Sequence, residues 1–114
     1  MDFEKLQVWR RSARLSAELY KGMRDLRDFG FRDQITRAGL SVPSNIAEGM
    51  TRGTARDKQH FLLIAKGSCA ELRTQIYIGI DIGYIDKACG GRWIQETREI
   101  AAMLSGLIGR LSHE

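Results

Sequence analysis

The sequence predicts an all-α fold: an antiparallel, up-down-up-down bundle of four helices in a single domain spanning residues 1–114. Three observations predict it. Apolar residues recur at steps of three and four through four long segments, the spacing that lines side chains along one helix face. The segments are separated by short stretches holding glycine or a capping residue, which forces consecutive helices to run antiparallel. No segment shows the strict alternation of a strand, and no long-period repeat is present.

The first segment runs from Phe3 to about Leu26. It carries Leu6, Trp9, Ala13, Tyr20 and Met23 on one stripe and Val8, Leu15, Leu19 and Leu26 beside it, with a single glycine. One long helix is expected, with both stripes in the core. Arg10, Arg14, Lys21 and Arg24 share a face between the stripes, interrupted by Glu18. A row of like charge is ordinarily the wet side of a helix. The same row offers a surface to a phosphate backbone.

After a turn at Arg27–Gly30 comes the least generic stretch of the chain, Gln34 to Gly49. Phe31, Ile35, Ala38, Val42, Ile46 and Met50 form its core face. Beside them run Gln34, Arg37, Ser41, Asn45 and Glu48, a line without the Lys and Glu crowd of a solvated face, and therefore expected to be partly buried. Pro43 lies between these positions. It has no N–H for the carbonyl of Gly39, so one continuous helix kinked at Pro43 is expected, with Ser41, Ser44 or Asn45 available to the freed carbonyl. The small polar residues read either as close-packing spacers or as a hydrogen-bonded network. Gly49 is placed to end the helix in a left-handed cap.

Thr54 and Asp57 stand in capping-box spacing, which predicts a third helix from Ala55 to about Ile82 with Gly83 as its stop. Phe61, Ala65, Ser68, Leu72 and Gly79 make its core stripe, with Leu62, Cys69, Ile76 and Ile80 adjacent. Gly67 and Gly79 each cost about 1 kcal/mol relative to alanine inside a helix, so another backbone is expected close by and this helix central. Asp86 caps a fourth helix, where Cys89, Trp93, Ile100, Leu104, Leu107 and Leu111 keep heptad-like spacing.

At these residues the sequence resembles a known family. The series Gln34, Arg37, Ala38, Ser41, Pro43, Asn45, Ile46, Ala47, Glu48, Gly49 is similar to the signature of the small bacterial four-helix-bundle proteins encoded in intervening sequences of large-subunit ribosomal RNA genes. The run Phe61, Ala65, Lys66, Gly67, Ser68, Glu71, Leu72, followed by Gly83, Tyr84 and Ile85, resembles that family's third helix. The first connection departs from the pattern, lacking the longer acidic, proline-containing turn of relatives. The same fold serves the accessory protein of diversity-generating retroelements, a homopentamer that binds nucleic acid and a reverse transcriptase. The resemblance therefore implies a homo-oligomer, pentamer favoured, with nucleic acid and a protein such as a reverse transcriptase as partners. It also implies Gln34, Arg37, Ser41, Pro43, Asn45 and Glu48 as family-motif or interface residues.

Composition bounds the chemistry. Hydrophobic residues make up 43% of the 114 and charged residues 28%, the balance of a globular domain rather than a disordered chain. The charged start, Met1 to Arg11, does not read as a signal peptide, and no apolar run has the length of a membrane span, so a cytosolic protein without membrane partners is expected. Cys69 and Cys89 lack any CxxC or Cys/His partner and are expected as buried free thiols. His60 and His113 are the only histidines. Neither assembles a triad or a di-iron Glu-x-x-His pair, no Walker or dinucleotide fingerprint is present, and Glu48 and Glu71 read as partners for an arginine such as Arg37. No enzyme activity, metal or cofactor is expected.

The net charge is +4, and its excess sits on the first segment and the second connection. Arg10, Arg14, Lys21, Arg24, Arg52, Arg56 and Lys58 are the candidate nucleic-acid contacts. These regions lack interleaved aromatics, which points to phosphates rather than bases. The competing reading is a structural or protein-interaction module without nucleic-acid affinity.

Overall fold

The protein is described here by a computed structural model over residues 2–113. A short 3-10 turn, Phe3–Lys5, precedes four α-helices: α1 (Gln7–Gly22), α2 (Phe29–Met50), α3 (Ala55–Asp81) and α4 (Lys87–Leu111). Each helix packs on its two neighbours around a square. α2 lies against α3, α3 against α4, and α1 against α2 and α4, and among the described residues no backbones come close across the diagonals. The body measures 45 × 20 × 20 Å, and no described residue is in a strand. The α2–α3 and α3–α4 seams are the most extensive. α3 is thus the best-packed helix, although a square leaves none enclosed.

The core is where the periodicity predicts it. Leu19, Ile35, Ile46, Leu62, Leu72, Ile76, Ile100 and Leu104 are fully buried, so all four helices contribute to the core. Local capping sets three of the boundaries. Thr54 accepts from the Asp57 amide at 3.1 Å and Asp86 from the Cys89 amide at 3.1 Å. Gly83, with φ 81°, is the one described residue in the left-handed region. There the amides of Gly83 and Tyr84 turn back to the carbonyls of Ile80 and Gly79, the Schellman arrangement that ends a helix.

The first segment is not one helix from Phe3 to Leu26. Leu6 is extended (ψ 127°) and separates the 3-10 turn from α1, so that Phe3 packs edge-on against Trp9 with centroids 5.2 Å apart. At the other end α1 stops at Gly22, where a Cβ would lie 2.8 Å from the Trp93 ring of α4. The first connection therefore covers residues 23–28, and Phe29 and Gly30 belong to α2. Of the two predicted stripes the second is the core one, with Val8, Leu15 and Leu19 buried and Leu26 half-buried; in the first only Met23 is buried, while Leu6, Trp9 and Ala13 are half-buried and Tyr20 is exposed.

α2 runs unbroken through Pro43. Gly39 has a role beyond easing proline strain, because the Leu19 side chain of α1 fills the place its Cβ would take, 2.5 Å away. Gly49 is not a left-handed cap. It is helical and buried, against Phe61 and the Lys58 carbonyl, and the helix ends one residue later. Gly79 and Gly67 also differ from expectation: side chains, Ile85 and Phe31, close on Gly79, whereas Gly67 has nothing within 4 Å.

Two glycines in α4 give opposite expectations. Gly90 carries Ile80 and Ile85 against its Cα, with a built Cβ 2.4 Å from Ile80 Cδ1. Gly90→Ala should therefore destabilise the protein by about 1–3 kcal/mol through overpacking. Gly106 has only the tip of Arg110 near it, at 3.9 Å, so Gly106→Ala should stabilise by about 1 kcal/mol from helix propensity. Urea unfolding of the two variants checks both signs.

Candidate nucleic-acid interface

Because Val8, Leu15 and Leu19 point into the bundle, helical geometry turns Arg10, Arg14 and Lys21 outward on α1, with Arg24 just past its end. All four are exposed. Arg10 donates to the Glu4 carbonyl at 2.8 Å, which steadies its stem and leaves the rest of the guanidinium free. Lys21 lies eleven residues beyond Arg10, about 16 Å along the helix. The alternation of helix directions puts the α2–α3 connection at the end of the bundle where α1 starts. Arg52, Arg56 and Lys58 thus share an end with Arg10 and Arg14, while Lys21 and Arg24 stand at the opposite end. One chain does not gather the seven into a single surface.

The second cluster is also partly occupied. Arg52 pairs with Glu48 and lies 4.6 Å over the Phe61 ring, while Lys58 is half-buried and only Arg56 is exposed without an ion pair among the described residues. Glu48 is therefore the partner of Arg52, not of Arg37. Arg37 is exposed with no acidic partner among the described residues, and Glu71 is likewise unpaired.

At the far end, the last turn of α1 and the first turns of α2 enclose a cleft of about 380 Å³ lined by Tyr20, Lys21, Arg24, Arg32, Asp33 and Thr36. Arg32 is a basic residue outside the seven candidate contacts. It follows Asp28 by four residues, so the cap that starts α2 turns it back towards α1. Its guanidinium sits 4.6 Å over the Phe29 ring and 3.8 Å from Asp33. Tyr20 is 47% exposed there, an aromatic ring among cations that the core stripe had claimed.

The motif line of α2 divides. Gln34, Arg37 and Glu48 are exposed, and Ser41 and Asn45 are half-buried in a polar network across the α2–α3 seam. Ser41 Oγ and Ser68 Oγ are 2.8 Å apart, and Asn45 Nδ2 donates to the Ser41 carbonyl and hydroxyl, both at 2.9 Å. The network reading holds for these residues, but the Asn45 amide serves Ser41 rather than the carbonyl freed by Pro43. Pro43 itself is buried and lines an apolar groove with Phe3, Trp9, Ala13, Leu40 and Ala47, about 340 Å³ in volume.

The sequence profile of the 23S rRNA-intervening sequence proteins matches residues 4–106. The chain belongs to that family. A solved structure with the same fold, from Bacteroides thetaiotaomicron, is described as a protein of unknown function from the S23 ribosomal protein family. It superposes with a TM-score of 0.83 at 24% identity, covering 89% of this chain and 97% of that one. None of the curated proteins matches the chain.

In this 23S rRNA-intervening sequence protein the outer face of α3 is apolar. Leu63, Ile64, Tyr77 and Ile78, with Ile82 just past its end, are each at least 40% exposed, and the side-chain amide oxygen of Gln75 is buried without a partner. Cys69 is buried, which pushes its thiol up to about 11. Cys89 is half-buried, a correction to the expectation of two buried thiols, and burial raises it too. No group of three or more His, Cys, Asp or Glu among the described residues could hold a metal ion. No described helix is long and apolar enough to cross a membrane.

Asp28 ties the cleft end together. Its carboxylate accepts from the Phe31 amide at 3.1 Å and from the Tyr84 hydroxyl at 2.8 Å, and these bonds hold it below its ordinary value. A depressed carboxylate adds stability that is present above the unfolded value, near 3.9, and lost as pH falls through the folded one. Asp28→Ala should lower the urea midpoint at pH 7, and the gap to wild type should close below about pH 4. Urea midpoints measured across that range check it.

Proposed function

We propose that this protein is a non-enzymatic homo-oligomer that binds nucleic acid through phosphate contacts in the cytosol, and that it works as an adaptor for a protein partner such as a reverse transcriptase. The observation that carries this reading is the outward row on α1: Arg10, Arg14, Lys21 and Arg24 are exposed and form no ion pair among the described residues. Cations left unneutralised on a rigid helix are what a phosphate backbone meets, and such contacts position without reading sequence.

One chain carries only +4, so useful affinity needs repetition. The α3 face supports it, since it exposes two apolar clusters, Leu63 with Ile64 and Tyr77 with Ile78, and exposed apolar clusters on a small domain mark interaction sites. The α1–α2 groove around Trp9, Leu40 and Pro43 is a second, different apolar surface. Two unlike complementary faces make head-to-tail contacts, which close into rings. Resemblance to the retroelement accessory protein supplies the number, a pentamer, on which five copies of +4 make +20. Linked contacts then bind far more tightly than one subunit.

The alternative, an interaction module without nucleic-acid affinity, is favoured by a specific observation as well: Arg52 is already engaged by Glu48 and Phe61. The experiment that separates them is a mobility shift with RNA and with DNA at 50 mM salt. Wild type should bind both with little sequence preference. Replacing Arg10, Arg14, Lys21 and Arg24 by glutamate should abolish the shift, whereas Leu63→Lys with Ile78→Lys should lower the mass in light scattering and weaken the shift through lost multivalency. No shift for wild type leaves the interaction module.

A further inference from the structure

We propose that the cleft between the end of α1 and the start of α2 takes one unpaired nucleotide, its base against the Tyr20 ring and its phosphate against Lys21, Arg24 and Arg32. The inference rests on the nucleic-acid reading above and adds to it a class of ligand: single strands are preferred to duplex.

The ring is where it is for a structural reason. Tyr20 continues the stripe of Trp9 and Ala13, which higher up shares an apolar groove with Leu40, Pro43 and Ala47 of α2. At the level of Tyr20, α2 offers Arg32, Asp33 and Thr36 instead. The ring stays 47% exposed, in a cleft whose lining includes three cations and no other apolar side chain. A cleft of about 380 Å³ falls in the range of small-ligand sites.

The polar groups are unequal. Thr36 Oγ1 donates to the Arg32 and Asp33 carbonyls at 2.7 and 3.3 Å, so it braces the first turns of α2 and is spent. Arg32 is held by the Phe29 ring, which fixes a fork suited to phosphate oxygens before any ligand arrives. Lys21 in the last turn of α1 and Arg24 just past it line the same cleft. Asp33, whose distance to Arg32 is 3.8 Å, is an acceptor for a sugar hydroxyl or a base amino group, and its charge disfavours a second phosphate in the same cleft.

The other aromatics beside cations are differently placed. Arg52 lies over the Phe61 ring, and Arg98 donates to the Tyr77 hydroxyl at 2.9 Å on the apolar face of α3. Phe29 is more exposed still, at 59%, but Arg32 lies over its ring and it does not line the cleft; among the described residues, Tyr20 is the aromatic ring that lines it. In a duplex the base faces are stacked inside the helix and cannot reach it unless a nucleotide is extruded. In a single strand every base offers a face, and stacking on an aromatic ring contributes roughly 5- to 150-fold in affinity.

The test is fluorescence anisotropy at 50 mM salt with an end-labelled 12-nucleotide single-stranded RNA and with the duplex of the same sequence. Wild type should bind the single strand about tenfold or more tightly than the duplex. Tyr20→Phe should keep that preference, and Tyr20→Ser should remove it while leaving duplex binding unchanged. Arg32→Gln should weaken binding of both probes and reduce the single-strand salt slope by about 0.7. Equal affinity of wild type for the two probes, or a Tyr20→Ser protein indistinguishable from wild type, would overturn the cleft and leave phosphate binding standing. Binding of neither probe overturns the nucleic-acid reading and the cleft with it.

Discussion

Leu19 of α1 lies in the notch at Gly39 of α2, and most of the bundle's geometry depends on that contact. Leu19 is fully buried, and the space it fills is the space a Cβ at residue 39 would need. The close approach brings α1 down onto α2, turns Val8 and Leu15 inward with Leu19, and so turns the cations of α1 out. The same helix meets α3 through the Ser41–Ser68 contact one ridge away. α2 is therefore tied on one side by apolar packing and on the other by a small polar network, which is why its motif mixes glycine, serine, proline and asparagine. Long side chains at these positions would push the helices apart.

The parts of the fold set by local bonds were legible in the sequence. Thr54, Asp86 and Gly83 each satisfy backbone groups within a few residues of themselves, so their roles depend on little else. What was not legible depends on distant chain. Gly22 at the end of α1 leaves room for the Trp93 ring, seventy-one residues later, a neighbour that nothing near Gly22 announces. Gly49 looked like a cap because glycine after a helical stripe usually is one. Here its missing side chain makes room for Phe61 and the backbone of α3.

The candidate site follows the same division. That Arg10, Arg14, Lys21 and Arg24 share an outward face follows from spacing alone. That Arg52 is engaged by Glu48 and Phe61, that Arg32 joins Lys21 and Arg24, and that Tyr20 stands open among them all require helices to be placed against one another. Tyr20 was assigned to the core because it continues an apolar stripe. Beside the stripe α2 changes from Leu40 and Pro43 to Thr36, Asp33 and Arg32, and a period of 3.6 cannot report what the facing helix carries.

Function in this account depends on repetition: modest charge and one cleft per chain become an effective surface only when copies assemble through the apolar faces. The most direct measurement is native mass spectrometry of the protein with a short RNA at low salt. The account predicts a closed assembly of several 12.9 kDa chains, five by resemblance, carrying RNA, with no significant free monomer. A 12.9 kDa species alone, without RNA at any ratio, would contradict it.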